Sequence, residues 1–333
     1  MVFVLISIQF MKTYFLISIF IILGFTSCIP YKEIDIQYLN KPEINIPNDF
    51  NKPLVLINYY ENKGSDKSKK IQFAIDSVSA EEAAASLKEN LLNSPWFHDL
   101  DIPIERYTRK DSSKYIKPLP WSSLSNIVKG DSVDLVISLE YIKVSEKSDS
   151  YRTQENDIEY YYGYISAPIY CYWRIYDLSK KQIANGYLYS DTLFWDSKDW
   201  TPISVGNQLP GYFSVAAYAG NECGEKYAIK ISPSWVNDKR NLYYLGSSEM
   251  ENAAIYAVKG EWIEAAMIWQ RIYALKKGKL SARAAFNLAL ANEMNGKFDI
   301  ALDWLKDAKK LYPLPEIGKY WQILSDRLSN SNK

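Results

Sequence analysis

Histidine is nearly absent from this chain, and cysteine is scarce: 333 residues hold one His and three Cys. A histidine-based metal site needs several such ligands at short spacing, so no metal is expected. A Ser or Cys nucleophile would need a histidine base, and His98 directly follows Trp96-Phe97, a position that reads as structural. The sequence has no Gly-x-Ser-x-Gly, no His-Glu-x-x-His, no phosphate-cradling glycine loop and no Cys-x-x-Cys. An excess of one charge is missing too, with 39 Lys and Arg against 39 Asp and Glu. Nucleic-acid binders need a basic field to displace counterions, so no nucleic-acid partner is expected. No catalytic residue and no cofactor are assigned, and the chain is read as non-enzymatic.

The chain is rich in aromatics, with 27 Tyr, 12 Phe and 10 Trp. It also carries a leader: Met11-Lys12 is a basic start, Tyr14 to Phe25 an apolar run, and Thr26-Ser27 are small residues before Cys28. Residues 1–10 carry no charge, which makes Met11 the expected start of a signal peptide ending at residue 27. The apolar run is about a dozen residues, short of the roughly 20 that span a bilayer. Phe25-Thr-Ser-Cys28 resembles the lipobox of bacterial lipoproteins, although Phe25 stands where Leu is usual. That resemblance implies acylation of Cys28, with membrane lipid as its partner. The other cysteines, Cys171 and Cys223, either pair or stay as two buried thiols.

Residues 28–50 mix prolines with apolar residues and read as a lipidated tether. A domain of α+β class is expected over 51–240, a helix-backed, largely antiparallel sheet. Leu54 to Ile57 reads as a strand buried on both faces, and Asp134 to Val144 as another, with Glu140 and Lys143 flanking it. Ser79-Ala-Glu-Glu82 has the form of a capping box that opens a helix. Trp121 to Val128 reads as a short helix closed by Gly130. Ile169, Cys171, Trp173 and Ile175 alternate with Tyr170, Tyr172, Arg174 and Tyr176, giving a strand with an aromatic outer face. A turn at Asp177 leads to a returning strand from Ile183 to Trp195. Residues 212–231 read as a helix burying Ala216, Ala219, Cys223, Tyr227 and Ile231.

From about Ser248 the pattern becomes helical to residue 333. Gly260-Glu-Trp262-Ile-Glu-Ala265 recurs as Gly296-Lys-Phe298-Asp-Ile-Ala301, at a spacing of 36. Tyr256 and Trp269 belong to the first copy, and Ala308 and Pro313 to the second. This resembles the tetratricopeptide repeat, whose unit is about 34 residues, and implies an all-α repeat domain with the helix from Ile317 as a cap.

Phe25-Thr-Ser-Cys28, Val133-Asp-Leu-Val-Ile137, Tyr172-Trp-Arg-Ile-Tyr-Asp177 and the two Gly-x-aromatic-x-x-Ala units together resemble an uncharacterised lipoprotein family of Bacteroidetes-type bacteria. The Asp177 turn is also similar to periplasmic modules of curli-secretion and penicillin-binding-protein-activator lipoproteins. These likenesses imply a lipid-anchored outer-membrane protein facing the periplasm, binding or scaffolding an envelope protein. The competing expectation is a glycan-binding or glycan-processing lipoprotein that uses Tyr161, Tyr162, Trp195 and Trp200. The two carboxylates of a glycosidase need not lie close in sequence.

Overall fold

The computed structural model describes residues 30–46, 50–58, 66–108, 117–128 and 133–331. The leader, with Met11 and Cys28, lies outside the described residues, as does Gly130. The strands are β1 (Tyr31–Asn40), β2 (Pro53–Ile57), β3 (Ile104–Arg106), β4 (Leu135–Val144), β5 (Lys147–Glu155), β6 (Ile158–Asp177), β7 (Gln182–Asp199) and β8 (Ser234–Tyr243). The helices are α1 (Lys67–Leu92), α2 (Trp121–Ile127), α3 (Pro202–Gln208), α4 (Tyr212–Ile231), α5 (Ser248–Val258), α6 (Trp262–Ala274), α7 (Gly278–Met294), α8 (Phe298–Leu311) and α9 (Ile317–Ser331). The chain forms two compact units, residues 39–236 and residues 237–333 joined by the segment up to Tyr38. An α+β region with a largely antiparallel sheet is thus followed by an all-helical region.

In the first unit β2 lies parallel to both β3 and β4. All five of its residues are buried, as expected of a strand covered on both faces. From β4 onward the pairing is antiparallel. β6 pairs with β4 through its second half and with β5 through its first half. β7 runs along the opposite side of β6, from Asp199 beside Tyr161 to Gln182 beside Asp177. The odd positions of β6, among them Ile169, Cys171, Trp173 and Ile175, are buried in one core with α1 and α4. Trp173 stacks on Tyr227 of α4 with centroids 5.1 Å apart. Cys171 and Cys223 are two buried free thiols. The hydrogen bond between them, together with burial, pushes the Cys223 thiol up.

The helix layer rests on a close crossing. A Cβ added at Gly220 would meet the Ser79 carbonyl oxygen at 2.3 Å, and one at Gly224 the Ala83 carbonyl oxygen at 2.3 Å. Two hydroxyls tie the same crossing: Ser79 Oγ donates to the Ala216 carbonyl at 3.0 Å and Ser86 Oγ to the Asn221 carbonyl at 2.9 Å. Ser79 therefore does not cap a helix. α1 begins twelve residues earlier, where Asp66 accepts from the Ser68 amide. A capping box marks a start only where the chain before it is not helical, and here Lys67 to Val78 is.

In the second unit each helix from α5 to α9 packs on the next. Gly260 and Gly296 both adopt positive φ, +82° and +69°, and close the first helix of each pair identically. The Glu261 amide donates to the Tyr256 carbonyl and the Gly260 amide to that of Ala257. At the same spacing, the Lys297 amide donates to Asn292 and the Gly296 amide to Glu293. This is a Schellman closure made twice. Ala265, Trp269, Ala301 and Ala308 are buried, Trp262 and Phe298 half-buried, and Tyr256 and Pro313 exposed.

One expectation fails here. The segment read as a tether contains β1, which pairs with β8. Ile34, Ile36 and Tyr38 alternate with polar residues, and Pro30 and Pro42 lie just outside them, so the prolines bound a strand rather than prevent one. Tyr31 and Ile34 pack on the helical core.

Gly224→Ala is expected to cost about 1–3 kcal/mol of stability through overpacking. Gly206→Ala, where an added Cβ meets nothing, is expected to be neutral or stabilising by about 0.5–1 kcal/mol. Urea unfolding of the two variants beside the parent reads the difference.

Candidate binding surface

Strand periodicity places every second β6 side chain on the face away from α1 and α4. Tyr160, Tyr162, Tyr164, Tyr170, Tyr172, Arg174 and Tyr176 occupy that face. Register adds Tyr151 opposite Tyr162 on β5, and Asp196 and Lys198 opposite Tyr164 and Tyr162 on β7. Phe194 of β7 stacks on Tyr164 at 5.7 Å, and Tyr151 tilts against Tyr162 at 5.4 Å. Lys198 Nζ sits 3.6 Å from the centroid of the Tyr160 ring and pairs with Glu155. The Lys198 hydrogen bond and charge hold the Glu155 carboxyl below its usual range. Tyr151 is 50% exposed and Phe194 56%.

The stripe changes character at its far end. Arg174 and Tyr176 are buried, contrary to the aromatic outer face expected there; Leu124 of α2 and Leu119 just before it share a core cluster with Tyr176. Glu140, expected to flank β4, is buried as well and pairs with Arg174 at 2.6 Å. Tyr176 Oη donates to Glu140 and accepts from the Leu119 amide at 2.8 Å. Arg174 Nη2 reaches Tyr172 Oη at 3.3 Å, and its guanidinium lies 5.1 Å from the Tyr172 ring centroid. Burial and then the Glu140 charge hold the Tyr176 hydroxyl well above the usual phenol range. The arrangement anchors the tyrosine row at one end and leaves it open at the other. At the hinge after β6, Asp177 accepts from Ser179 Oγ at 2.6 Å and the Lys180 amide at 2.9 Å. These bonds fix the turn into β7.

The four aromatics singled out in the sequence are not brought together. Tyr162 is on the tyrosine face, whereas Tyr161 and Trp195 lie on the opposite one, where Trp195 tilts against Tyr218 at 5.8 Å. Trp200 stands beyond the end of β7, 69% exposed. On β7, Asp191 accepts from Tyr189 Oη and Asp199 from Gln208 Nε2, so both carboxylates have structural partners. No group of three or more potential metal ligands occurs among the described residues. The helical unit holds its own buried charge cluster: Glu293 accepts from Arg240 Nη2 at 2.8 Å and Tyr320 Oη at 2.6 Å, and also pairs with Arg327. The residues of both clusters are scattered in sequence. The one readable signal is an acid inside a stretch that carries no other charge, as at Glu140 and Glu293.

Removing Glu140 leaves the Arg174 charge buried without its counterion, at a cost of about 3–5 kcal/mol. Glu140→Ala is therefore expected to unfold at a much lower denaturant concentration. A Glu140→Met, Arg174→Met pair is expected to recover most of the loss, since the double change leaves no orphaned charge.

No curated protein matches the chain. Among solved structures it is similar to the PelC dodecamer protein of Paraburkholderia phytofirmans, at 13% identity and TM-score 0.27, covering 60% of this chain and 99% of that one. It is also similar to a neuraminyllactose-binding hemagglutinin homolog of Helicobacter pylori, at 11% identity and TM-score 0.32, covering 56% of this chain and 86% of that one. At those TM-scores neither likeness carries an argument. Residues 251–326 match a second family, the domain of unknown function DUF6340. Residues 51–243, more than half of the chain and all of its tyrosine face, match the domain of unknown function DUF8603, and the chain belongs to that family.

Proposed function

We propose that this protein is a lipid-anchored component of the cell envelope that binds a protein partner without catalysing a reaction. The anchor in this reading is an acylated Cys28 in the outer membrane, with the folded units facing the periplasm. The observation that carries the binding role is the half-open tyrosine face of β5, β6 and β7. Tyrosine offers a large rigid ring with a polar tip at low entropic cost, which suits a wet protein interface. Of the six tyrosines on that face of β6 only Tyr176 belongs to a core; the other five are not needed for one, because the odd positions of β6 supply it. The doubled Gly-x-aromatic-x-x-Ala turns support a tetratricopeptide-like reading of the helical unit, and such stacks serve as binding scaffolds.

A second reading is favoured by one local feature. Tyr164 and Phe194, with Asp196 of β7 in register opposite Tyr164, present rings beside a carboxylate, a combination that suits a sugar. The two readings separate by experiment. In-cell crosslinking and affinity capture of the full-length protein are expected to return a reproducible protein neighbour. That neighbour should be lost on Tyr151→Ser, Tyr162→Ser, Tyr164→Ser substitution. The same neighbours from parent and variant would sink the protein-binding reading. Saturable quenching of tryptophan fluorescence by members of an oligosaccharide panel would move the assignment to a glycan.

A further inference from the structure

The helical unit is a stack with two unlike ends. At one end α9 closes it, exposing Lys319, Gln322, Asp326 and Ser329 beside Trp321. At the other end the α5–α6 hairpin exposes Ile255, Val258, Ile263 and Met267, each more than half accessible. Terminal units of a helical stack need a polar outer face to stay soluble, and here these four apolar side chains stand among the exposed charges Glu251, Lys259 and Glu264. Large exposed apolar patches mark contact sites.

We infer that a second copy of this chain covers the α5–α6 end, with α5 lying antiparallel on α5 of the other copy about a two-fold axis at Ile255. The charges argue for a copy over an unrelated partner. Glu251 lies four residues before Ile255 and Lys259 four after, so all three share one side of α5. Both charged residues are exposed, and neither makes an ion pair among the described residues. A two-fold axis at Ile255 sets Glu251 of each copy against Lys259 of the other, twice over. An isologous contact requires this kind of self-complementarity. α6 adds Ile263 and Met267, again four residues apart.

The size of the patch sets the strength. Helices of 11 and 13 residues are roughly 16–20 Å long, and side by side they cover on the order of 400 Å² per copy. Standard stable interfaces bury about 800 Å² per partner. The contact is therefore weak and reversible, and depends on local concentration.

The inference is independent of the tyrosine face and is tested on the full-length protein. Ile255→Cys is expected to give a disulfide-linked dimer under copper–phenanthroline oxidation, with an exposed control on α8, Lys309→Cys, giving none. In the Ile255→Cys background, Glu251→Lys alone or Lys259→Glu alone is expected to lower the linked fraction about fivefold. The double reversal restores it. These substitutions are on the surface, so folding is retained and circular dichroism checks it. Absence of the link, equal linking at Lys309, or indifference to the single reversals would overturn the inference.

Discussion

The contact on which the sheet-bearing unit depends is the crossing of α1 and α4. Two glycines in α4 bring its backbone onto the carbonyl row of α1, and two serines of α1 donate back across the seam. Helices with ordinary side chains pack at about 8–10 Å. Here the missing Cβ atoms allow closer approach, so both helices reach the sheet and bury its odd β6 positions together. Trp173 stacked on Tyr227 then fixes how β6 lies beneath α4. Loosening the crossing would free the layer that holds β6 still.

A strand held rigidly on one face can display the other. The even positions of β6 are covered at one end by α2 and pinned there by Arg174, Glu140 and Tyr176, while the other end stays open. Because buried ion pairs are seldom a net source of stability, the Arg174–Glu140 pair is better understood as fixing register. It holds the row of rings at one end, so that the open tyrosines present a set geometry. The pair Arg240–Glu293 plays a corresponding part inside the helical unit, where an acid in an alanine-rich helix gathers arginine and tyrosine from β8 and α9.

Periodicity made most of the elements legible in the sequence. β2, α2, α4 with its buried face, the β6–β7 hairpin and the doubled turns at Gly260 and Gly296 all follow from local pattern. The failures have a common physical cause. Ser79 carries a capping signature, yet its hydroxyl is used in a helix crossing with a residue 137 positions away. Arg174 and Glu140 resemble solvent-facing charges until α2 is placed over them. β1 has the alternation of a strand, but the prolines around it point to a tether and its partner β8 lies some two hundred residues later. Of the candidate aromatics, alternation separates Tyr161 from Tyr162 at once, but only register on β7 shows that Trp195 sides with the former.

The most direct test of the account is hydroxyl-radical footprinting of tyrosine in intact cell envelopes against the purified full-length protein. Tyr151, Tyr162 and Tyr164 should be modified readily when purified and protected in the envelope, while buried Tyr176 and Tyr227 stay unreactive in both. Equal modification of the three open tyrosines in both settings would contradict the claim that this face is where a partner sits.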